Sequence, residues 1–258
     1  MQAKITDISR STLQLPISLQ TWVIQNRYTN LCKLYFFLNA SCSGKRKISN
    51  PEIQAMADTL QVSSKTIRNQ LQKLKNDNWI GYNPKSKYWH IRGVRKLMKA
   101  LKLTGLTMSE LDVRELIDLK AFLASSCIGY LVNAQKKKQK NNIESKKSAE
   151  RKPVICSNQP DLSNFQGVPL ANVGMAKCLG ISKSYASSLK QLARKAGHIE
   201  VIKAYNDTGY SASELSYYRR ANPEIAHLTT VRSGKVMLRK PDLVICTMKY
   251  KTCRNRAA

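Results

Sequence analysis

Residues 57–67 read ADTLQVSSKTI, and residues 176–186 read AKCLGISKSYA. In both stretches a small alanine is followed by a tight turn and then by an aliphatic–serine pair. The small side chain lets two short helices cross closely, and the serine can begin the second helix. Each stretch therefore predicts a helix-turn-helix, and the surrounding sequence is interpreted from these two points.

The charge of the chain limits the partners that it can have. Its 258 residues include 44 Lys+Arg and 16 Asp+Glu, for a formal net charge of +28. A protein with this excess repels itself unless it meets a polyanion, and nucleic acid is favoured over a membrane surface. No apolar run approaches the roughly 18 residues that span a bilayer. Because the first 16 residues also lack the apolar core of a signal peptide, we expect a cytoplasmic protein.

The seven cysteines are odd in number and scattered, which favours free thiols in a reducing compartment. Cys246 and Cys253 could be considered as metal ligands, but no CxxC pair or neighbouring histidine completes a site. His90, His198 and His227 are isolated along the chain. We therefore expect no metal and no cofactor.

Residues around the first helix-turn-helix predict a compact series of elements. Apolar positions favour a helix over residues 19–39, and Ser49 with Glu52 fits a capping box at the start of the next one. Alternatively, Asn50 caps that helix with Pro51 at its first position. A further helix is expected over residues 63–76, with Ile67, Leu71 and Leu74 on one face. Strands at residues 79–82 and 88–91, joined by a turn, complete the series.

This order of elements carries a family resemblance. The residues VSSKTI at 62–67, then Leu71, Leu74 and Trp79-Ile80, resemble the recognition helix and first wing strand of bacterial winged helix-turn-helix regulators. The resemblance covers about residues 20–92. The glycine usual before the wing strand is Asn78 here, and asparagine also tolerates the left-handed conformation that this position needs.

The middle of the chain differs in composition. A basic helix is expected near Arg95 and Lys102, and a second helix is expected to begin near Thr107 or Ser109, where acidic residues suit a helix dipole. Residues 135–153 are polar and lysine-rich, which favours a flexible linker. Such a linker has a root-mean-square reach of roughly 20–25 Å and extends to about 60 Å, so adjacent major grooves, about 34 Å apart, are within reach.

The second half also resembles a winged helix, over about residues 165–240. Helices are expected over residues 170–179 and 182–195, Gly197 ends the second one, and residues 198–202 form the first wing strand. A polar, tyrosine-rich stretch at residues 206–226 interrupts the pattern. The next expected strands are residues 228–231 and 236–238, joined by a turn at Ser233-Gly234.

We therefore predict a mainly α fold with small β-wings (α+β), in which two winged helix-turn-helix domains are joined by a helical segment and a basic linker. The predicted divisions are an N-terminal arm (1–18), winged-helix domain 1 (19–92), a helical connector (93–134), a basic flexible linker (135–153) and winged-helix domain 2 with an enlarged wing and basic C-terminal tail (154–258).

The candidate DNA-contacting residues lie on the predicted recognition helices and wing tips. Hydroxyls and amides contact phosphates and base edges, while Arg can pair bidentately with guanine and Asn with adenine. Arg68 and Asn69 are the sharpest base-reading candidates. The first half contributes Ser64, Lys65, Thr66, Arg68, Asn69, Lys73, Lys85 and Lys87, and the second half contributes Lys183, Ser184, Tyr185, Ser187, Ser188, Lys190, Gln191, Arg194, Arg232 and Lys235.

The favoured function is site-specific binding of double-stranded DNA without enzymatic activity. The tandem arrangement resembles plasmid and phage replication initiators, which implies a bacterial or phage-infected cell and contact with the replication machinery. A transcription regulator with tandem winged helices is the alternative, and RNA binding or non-specific packaging is a lesser one. Two unlike recognition helices predict an asymmetric or direct-repeat site, read by a monomer or a homodimer.

An enzyme acting on DNA is disfavoured by the residues present. Tyr217-Tyr218 invites comparison with the paired nicking tyrosines of rolling-circle initiators, which also need a His-x-His metal site. The chain has no His-x-His and no phosphate-binding GxxxxGK[ST] loop. Its acidic residues are too few and dispersed to suggest a two-metal cluster.

Overall fold

Helices alternate with small antiparallel sheets in the computed structural model, which describes residues 11–42, 44–149 and 167–252. The fold is α+β and 53% helical, as the sequence predicts. The described residues include four three-stranded sheets. Two units can be separated, one holding the described residues up to Tyr130 and from Met248 onward, the other Leu131–Thr247.

The helices are α1 (Ile17–Gln25), α2 (Thr29–Ser41), α3 (Asn50–Leu60), α4 (Ser64–Asn76), α5 (Val94–Ala100), α6 (Leu119–Ala149), α7 (Asn172–Leu179), α8 (Lys183–Lys195) and α9 (Leu215–Ala221). The strands are β1 (Thr12–Pro16), β2 (Lys45–Lys47), β3 (Ile80–Asn83), β4 (Tyr88–Ile91), β5 (Thr107–Asp112), β6 (Val168–Pro169), β7 (Ile199–Ile202), β8 (Tyr205–Ser211), β9 (Thr229–Arg232), β10 (Lys235–Arg239), β11 (Leu243–Cys246) and β12 (Tyr250–Thr252).

The helix pair α3–α4 forms where the sequence predicts it, because its ends are capped locally. Gln61 ends α3 in the left-handed conformation at φ 54°. Ser63 then begins α4, and its hydroxyl accepts a hydrogen bond from the Thr66 amide at 3.1 Å. Ile67, Leu71 and Leu74 are buried on one side of α4, so the opposite side remains exposed.

A three-stranded sheet in the order β2-β4-β3 follows the helix pair. Asn78 has a φ of 63°, the left-handed conformation expected for the position before β3. Ile80 lies opposite Ile91 and Tyr82 opposite Trp89 in the antiparallel register. The first unit therefore contains the series α2, β2, α3, α4, β3 and β4, including a short strand β2 that the sequence does not predict.

The core of the first unit contains an aromatic cluster around Trp79, which is 1% exposed. The Trp79 ring centroid lies 5.8 Å from that of Trp22, 6.0 Å from Tyr28 and 5.1 Å from Tyr35. The Tyr35 hydroxyl donates to the carbonyl oxygen of Arg92 at 2.7 Å. These contacts connect α1 and α2 to the residues that enter and leave the β3–β4 hairpin.

The N-terminus of α3 is attached to β2 through Glu52. Its carboxylate accepts hydrogen bonds from the Ser49 amide at 2.7 Å and from the Arg46 Nε at 3.0 Å. Partial burial alone would raise the pKa of Glu52, but these Ser49 and Arg46 contacts together lower it. The capping box predicted from Ser49 and Glu52 is confirmed.

Glu52→Gln is expected to lower the free energy of unfolding by about 0.5–1 kcal/mol at pH 7, a value reduced by solvent screening. Because the folded-state pKa is depressed, the contribution of Glu52 is present above its unfolded pKa and is lost as the pH falls through the folded value. Denaturant titrations at pH 7, 5 and 3 should show the difference from wild type shrinking. The exposed Glu224→Gln serves as control. A loss of stability in Glu52→Gln that is the same at all three pH values would contradict the role assigned to the Glu52 carboxylate.

Two expectations for the first unit are corrected by the sheet β1-β5-β12. Residues 12–16 of the predicted arm form β1, which pairs with β5 from Thr12 opposite Asp112 onward. The helix expected to begin near Thr107 or Ser109 is strand β5 instead. Ser109 and Leu111 are buried, whereas Met108, Glu110 and Asp112 are not, so burial follows the period of a strand. The acidic residue Glu110 lies between Ser109 and Leu111 and pairs with Lys251.

The predicted flexible linker is wrong over residues 135–149, because these residues continue helix α6. The buried first part of α6, which includes Phe122 and Ile128, provides a helix that the following residues extend. Residues 131–149 contain no Gly or Pro, and the Lys, Gln and Ala that they include are good helix formers. The reach predicted for a flexible linker therefore does not apply to residues 135–149. The remaining linker residues, 150–153, lie outside the described residues.

The second unit pairs its strands differently from the prediction. Strand β7 pairs with β11, with Ile202 opposite Leu243, in the sheet β6-β11-β7. The expected hairpin with a turn at Ser233-Gly234 is present as β9 and β10, but it belongs to a separate sheet, β8-β10-β9. The tyrosine-rich stretch before this hairpin contains β8 and α9. We call residues 205–239, which lie between β7 and β11, the insertion.

Candidate nucleic-acid interface

The outward side of α4 carries four of its six predicted contact residues as exposed side chains: Lys65, Arg68, Asn69 and Lys73. Arg68 is oriented by a hydrogen bond from its Nη2 to the Oδ1 of Asn50 at 3.3 Å. Lys73 lies with its Nζ 4.9 Å from the centroid of the Tyr28 ring. The base-reading candidates Arg68 and Asn69 are thus accessible on a helix whose opposite side is anchored in the core.

The two remaining residues of this group, Ser64 and Thr66, serve the helix itself. The Ser64 hydroxyl donates to the Oε1 of Gln54. The Thr66 Oγ1 lies 2.8 Å from the hydroxyl of Ser63, the residue that caps α4. Both side chains are half-buried, so they stabilise the start of the helix and its contact with α3.

The outward face of the sheet β2-β4-β3 is basic, a feature that sequence reasoning missed. Lys45 and Lys47 lie opposite His90 and Tyr88 in the register, and their Nζ atoms lie 5.7 and 5.2 Å from the Tyr88 ring centroid. Successive side chains of a strand point to opposite faces, so Lys45 and Lys47 share one face while Arg46 points to the other, where it pairs with Glu52. This alternation was the signal in the sequence for a strand with one cationic face.

The hairpin tip between β3 and β4 adds two cations to the same unit. Lys85 and Lys87 are exposed, and the side chain of Asn83 stabilises the turn by accepting from the Lys85 amide at 3.0 Å. Arg92, Arg95, Lys96 and Lys99 follow as exposed residues after β4 and along α5. His90, Arg92, Arg95 and Lys96 line an open cavity of about 890 Å³ next to β1. The hairpin and the segment after it therefore form a continuous run of cations.

In the second unit, α8 exposes five of its eight predicted contact residues: Lys183, Ser184, Ser188, Gln191 and Arg194. Tyr185 and Ser187 are half-buried. The hydroxyl of Ser182 caps the helix by accepting from the Tyr185 amide at 3.2 Å. The outward side of α8 thus offers hydroxyl, amide and cationic groups, whereas the exposed contact residues of α4 offer amide and cationic groups.

The prediction that Lys190 contacts DNA is wrong, because its side chain is buried and cannot reach a ligand. Its Nζ donates to the carbonyl oxygen of Leu170 at 2.9 Å and to the Oδ2 of Asp242 at 3.1 Å. The side chain is only 6% exposed. Ala186 and Ala193 are buried on the same side of α8, and these small residues leave room for the lysine stem.

Arg232 and Lys235 flank the β9–β10 turn, but both have partners within the insertion. The Nζ of Lys235 lies 2.8 Å from the Oδ2 of Asp207, and this hydrogen bond raises the pKa of Lys235 and lowers that of Asp207. The guanidinium carbon of Arg232 lies 4.0 Å from the Tyr205 ring centroid. Arg232 and Lys235 therefore belong to the sheet β8-β10-β9. They do not lie at the tip of a hairpin formed by β7 and β11.

Metal-binding groups, thiols and membrane-spanning helices are the other features that would bear on function in the described parts of the chain. Within residues 11–42, 44–149 and 167–252, no group of three His, Cys, Asp or Glu side chains could hold a metal ion. Cys127 is buried, and burial raises the pKa of its thiol to about 12. Cys253, considered with Cys246 as a metal ligand and rejected on the sequence, lies outside the described residues. None of the helices in these ranges combines the length and apolar character needed to cross a membrane.

Comparison with family models, with curated proteins and with solved structures finds no match for this chain. Its function must therefore be inferred from the chemistry of its own residues.

Proposed function

We propose that this protein is a non-enzymatic, site-specific double-stranded DNA-binding protein whose two units each act as a winged helix-turn-helix. The observation that carries the proposal is the exposed side of α4, where Lys65, Arg68 and Asn69 project from a helix anchored by Leu71 and Leu74. A helix of this kind can enter a major groove with its first turns facing the base edges.

The side chains on α4 suit two separate tasks. Arg68 can donate two hydrogen bonds to guanine, and Asn69 can pair with adenine, so these two residues would read sequence. Lys85 and Lys87 at the hairpin tip, together with Lys45 and Lys47, would contact phosphates, which positions the helix without reading bases. The net charge of +28 supplies the long-range attraction to DNA.

The second unit would read a different half-site. The exposed residues of α8 include two serines, a glutamine and Arg194, whereas α4 exposes Arg68 and Asn69. Two unlike reading helices in one chain favour an asymmetric or direct-repeat site over a palindrome. This arrangement supports a role as replication initiator of a plasmid, phage or other mobile element, acting in the cytoplasm with the host's replication machinery.

Arg68→Ala/Asn69→Ala is expected to abolish the sequence preference of the protein while leaving general DNA affinity largely intact. Each lost bidentate contact removes about 1–3 kcal/mol of discrimination against wrong bases. The measurement is selection of bound sequences from a random duplex library at moderate salt, followed by titration of the selected site and a scrambled one.

Lys85→Ala is the matched control, because losing a phosphate contact should weaken the selected and scrambled duplexes equally and reduce the salt slope by about 1. No enriched motif in the wild-type selection, or equal competition by RNA, would refute site-specific reading. Repeats of the selected motif beside an AT-rich stretch near the coding region would support replication. A motif found only at promoters would support the transcription regulator.

A further inference from the structure

Three tyrosines of the insertion form an aromatic cluster in which Tyr217 is exposed and Tyr210 and Tyr218 are half-buried. The Tyr210 ring on β8 lies with its centroid 5.1 Å from Tyr218 and 6.3 Å from Tyr217, both on α9. Tyr217 is 59% exposed, and its hydroxyl has no hydrogen-bond partner among the described residues. The Tyr217 ring thus lies next to Tyr210 and has more than half of its surface open to solvent.

Two arginines of α9 lie close in sequence to this cluster, and two of the three carboxylates of the insertion accept hydrogen bonds from other groups. The Nε of Arg219 donates to the Oγ1 of Thr229 at 2.8 Å, which holds α9 against β9, while the next residue, Arg220, is exposed. Glu214 accepts from the amide and hydroxyl of Ser211, and Asp207 is paired with Lys235. The insertion carries five Arg and Lys against three Asp and Glu, and this small excess of positive charge suits an anionic ligand.

An anionic ligand that offers flat aromatic groups fits both features. Bases in a duplex are stacked on each other and present only their edges in the grooves. Unpaired bases expose their faces, and they stack on aromatic side chains while arginines accompany the backbone. Single-stranded DNA therefore matches an exposed tyrosine ring on the same helix as the exposed Arg220 better than duplex DNA does.

We propose that the Tyr210–Tyr217–Tyr218 cluster is a stacking platform for unpaired bases of single-stranded DNA. This inference rests on the proposed DNA-binding function and deepens it, because it assigns the insertion a separate partner from that of α4 and α8. In the second unit the insertion connects β7 to β11, whereas in the first unit a short turn joins β3 to β4. The second unit would thus engage a melted strand at a position where the first unit has only a lysine-bearing hairpin tip.

Tyr217→Ala in the full chain is expected to weaken binding of a fluorescent 15-nucleotide oligothymidylate by roughly 5- to 100-fold, as for the loss of one stacked base. An abasic oligonucleotide of equal length carries the phosphates without the bases, so its affinity should stay unchanged. Tyr217→Phe keeps the ring and should bind like the wild type. Tyr130→Ala, which removes a tyrosine 40% exposed on α6, should also leave both affinities unchanged.

The outcomes separate this inference from the proposed function. Tyr217→Ala should keep its affinity for the selected duplex, and Arg68→Ala/Asn69→Ala should keep its preference for oligothymidylate over abasic DNA. Equal binding of oligothymidylate and abasic DNA by the wild type would overturn the stacking platform. So would an unchanged oligothymidylate affinity in Tyr217→Ala, or a Tyr217-dependent preference for oligouridylate.

Discussion

Replacement of Trp79 by alanine is expected to lower the free energy of unfolding of the first unit by about 3–5 kcal/mol. The indole is 1% exposed and contacts the rings of Trp22, Tyr28 and Tyr35. Its removal leaves a cavity that three rigid rings cannot fill without shifting α1 and α2. Denaturant unfolding followed by circular dichroism at 222 nm measures the loss.

Trp89→Ala is the matched control, because Trp89 is a half-buried tryptophan on the central strand β4, and among the described rings it contacts only that of Tyr82, at 4.8 Å between centroids. It should cost much less than Trp79→Ala. Trp79→Phe refills part of the space and should recover part of the stability. A loss below about 1 kcal/mol for Trp79→Ala would contradict the central place of this residue in the core.

Lys190→Met is expected to destabilise the second unit by about 3–5 kcal/mol, because it leaves the Asp242 carboxylate buried without its main partner. The Asp242 side chain is 14% exposed, and its other cation, Arg239, lies farther away at 3.6 Å. Lys190 also satisfies the Leu170 carbonyl. Thermal and denaturant unfolding of the full chain report the change.

Two further variants test whether the loss arises from the ion pair. Lys190→Met combined with Asp242→Leu removes both charges and should be more stable than Lys190→Met alone, since a buried pair can be replaced by apolar residues at little cost. Lys183→Met, at an exposed position of the same helix, should change stability by less than about 0.5 kcal/mol. A double variant no better than the single one would contradict the pairing.

The elements that sequence reasoning places well are those with local causes. Helices α3 and α4 follow from the capping box of Ser49 and Glu52 and from the spacing of Ile67, Leu71 and Leu74. The left-handed Asn78 before β3 follows from the conformational tolerance of asparagine. Exposure of Arg68 and Asn69 follows as well, because on a helix the buried positions dictate which side remains outside.

The elements that sequence reasoning misplaces depend on distant partners. The residues of β5 resemble a helix start when only their acidic charges are considered, and they become a strand because β1 and β12 pair on either side. Residues 135–149 resemble a linker, yet they continue a helix whose buried part lies upstream. Lys190 resembles a surface cation until Asp242, 52 residues later, is brought to it.

The sequence by itself determined the two helix pairs, their caps, the basic character of the chain and the outward side of α4. Each of these depends on interactions within a few residues or on composition alone. Only the tertiary structure decided that β7 pairs with β11 across the insertion, that Lys190 is internal and that Tyr210 supports Tyr217. Pairing between distant residues depends on how the whole core packs, and no local pattern encodes that choice.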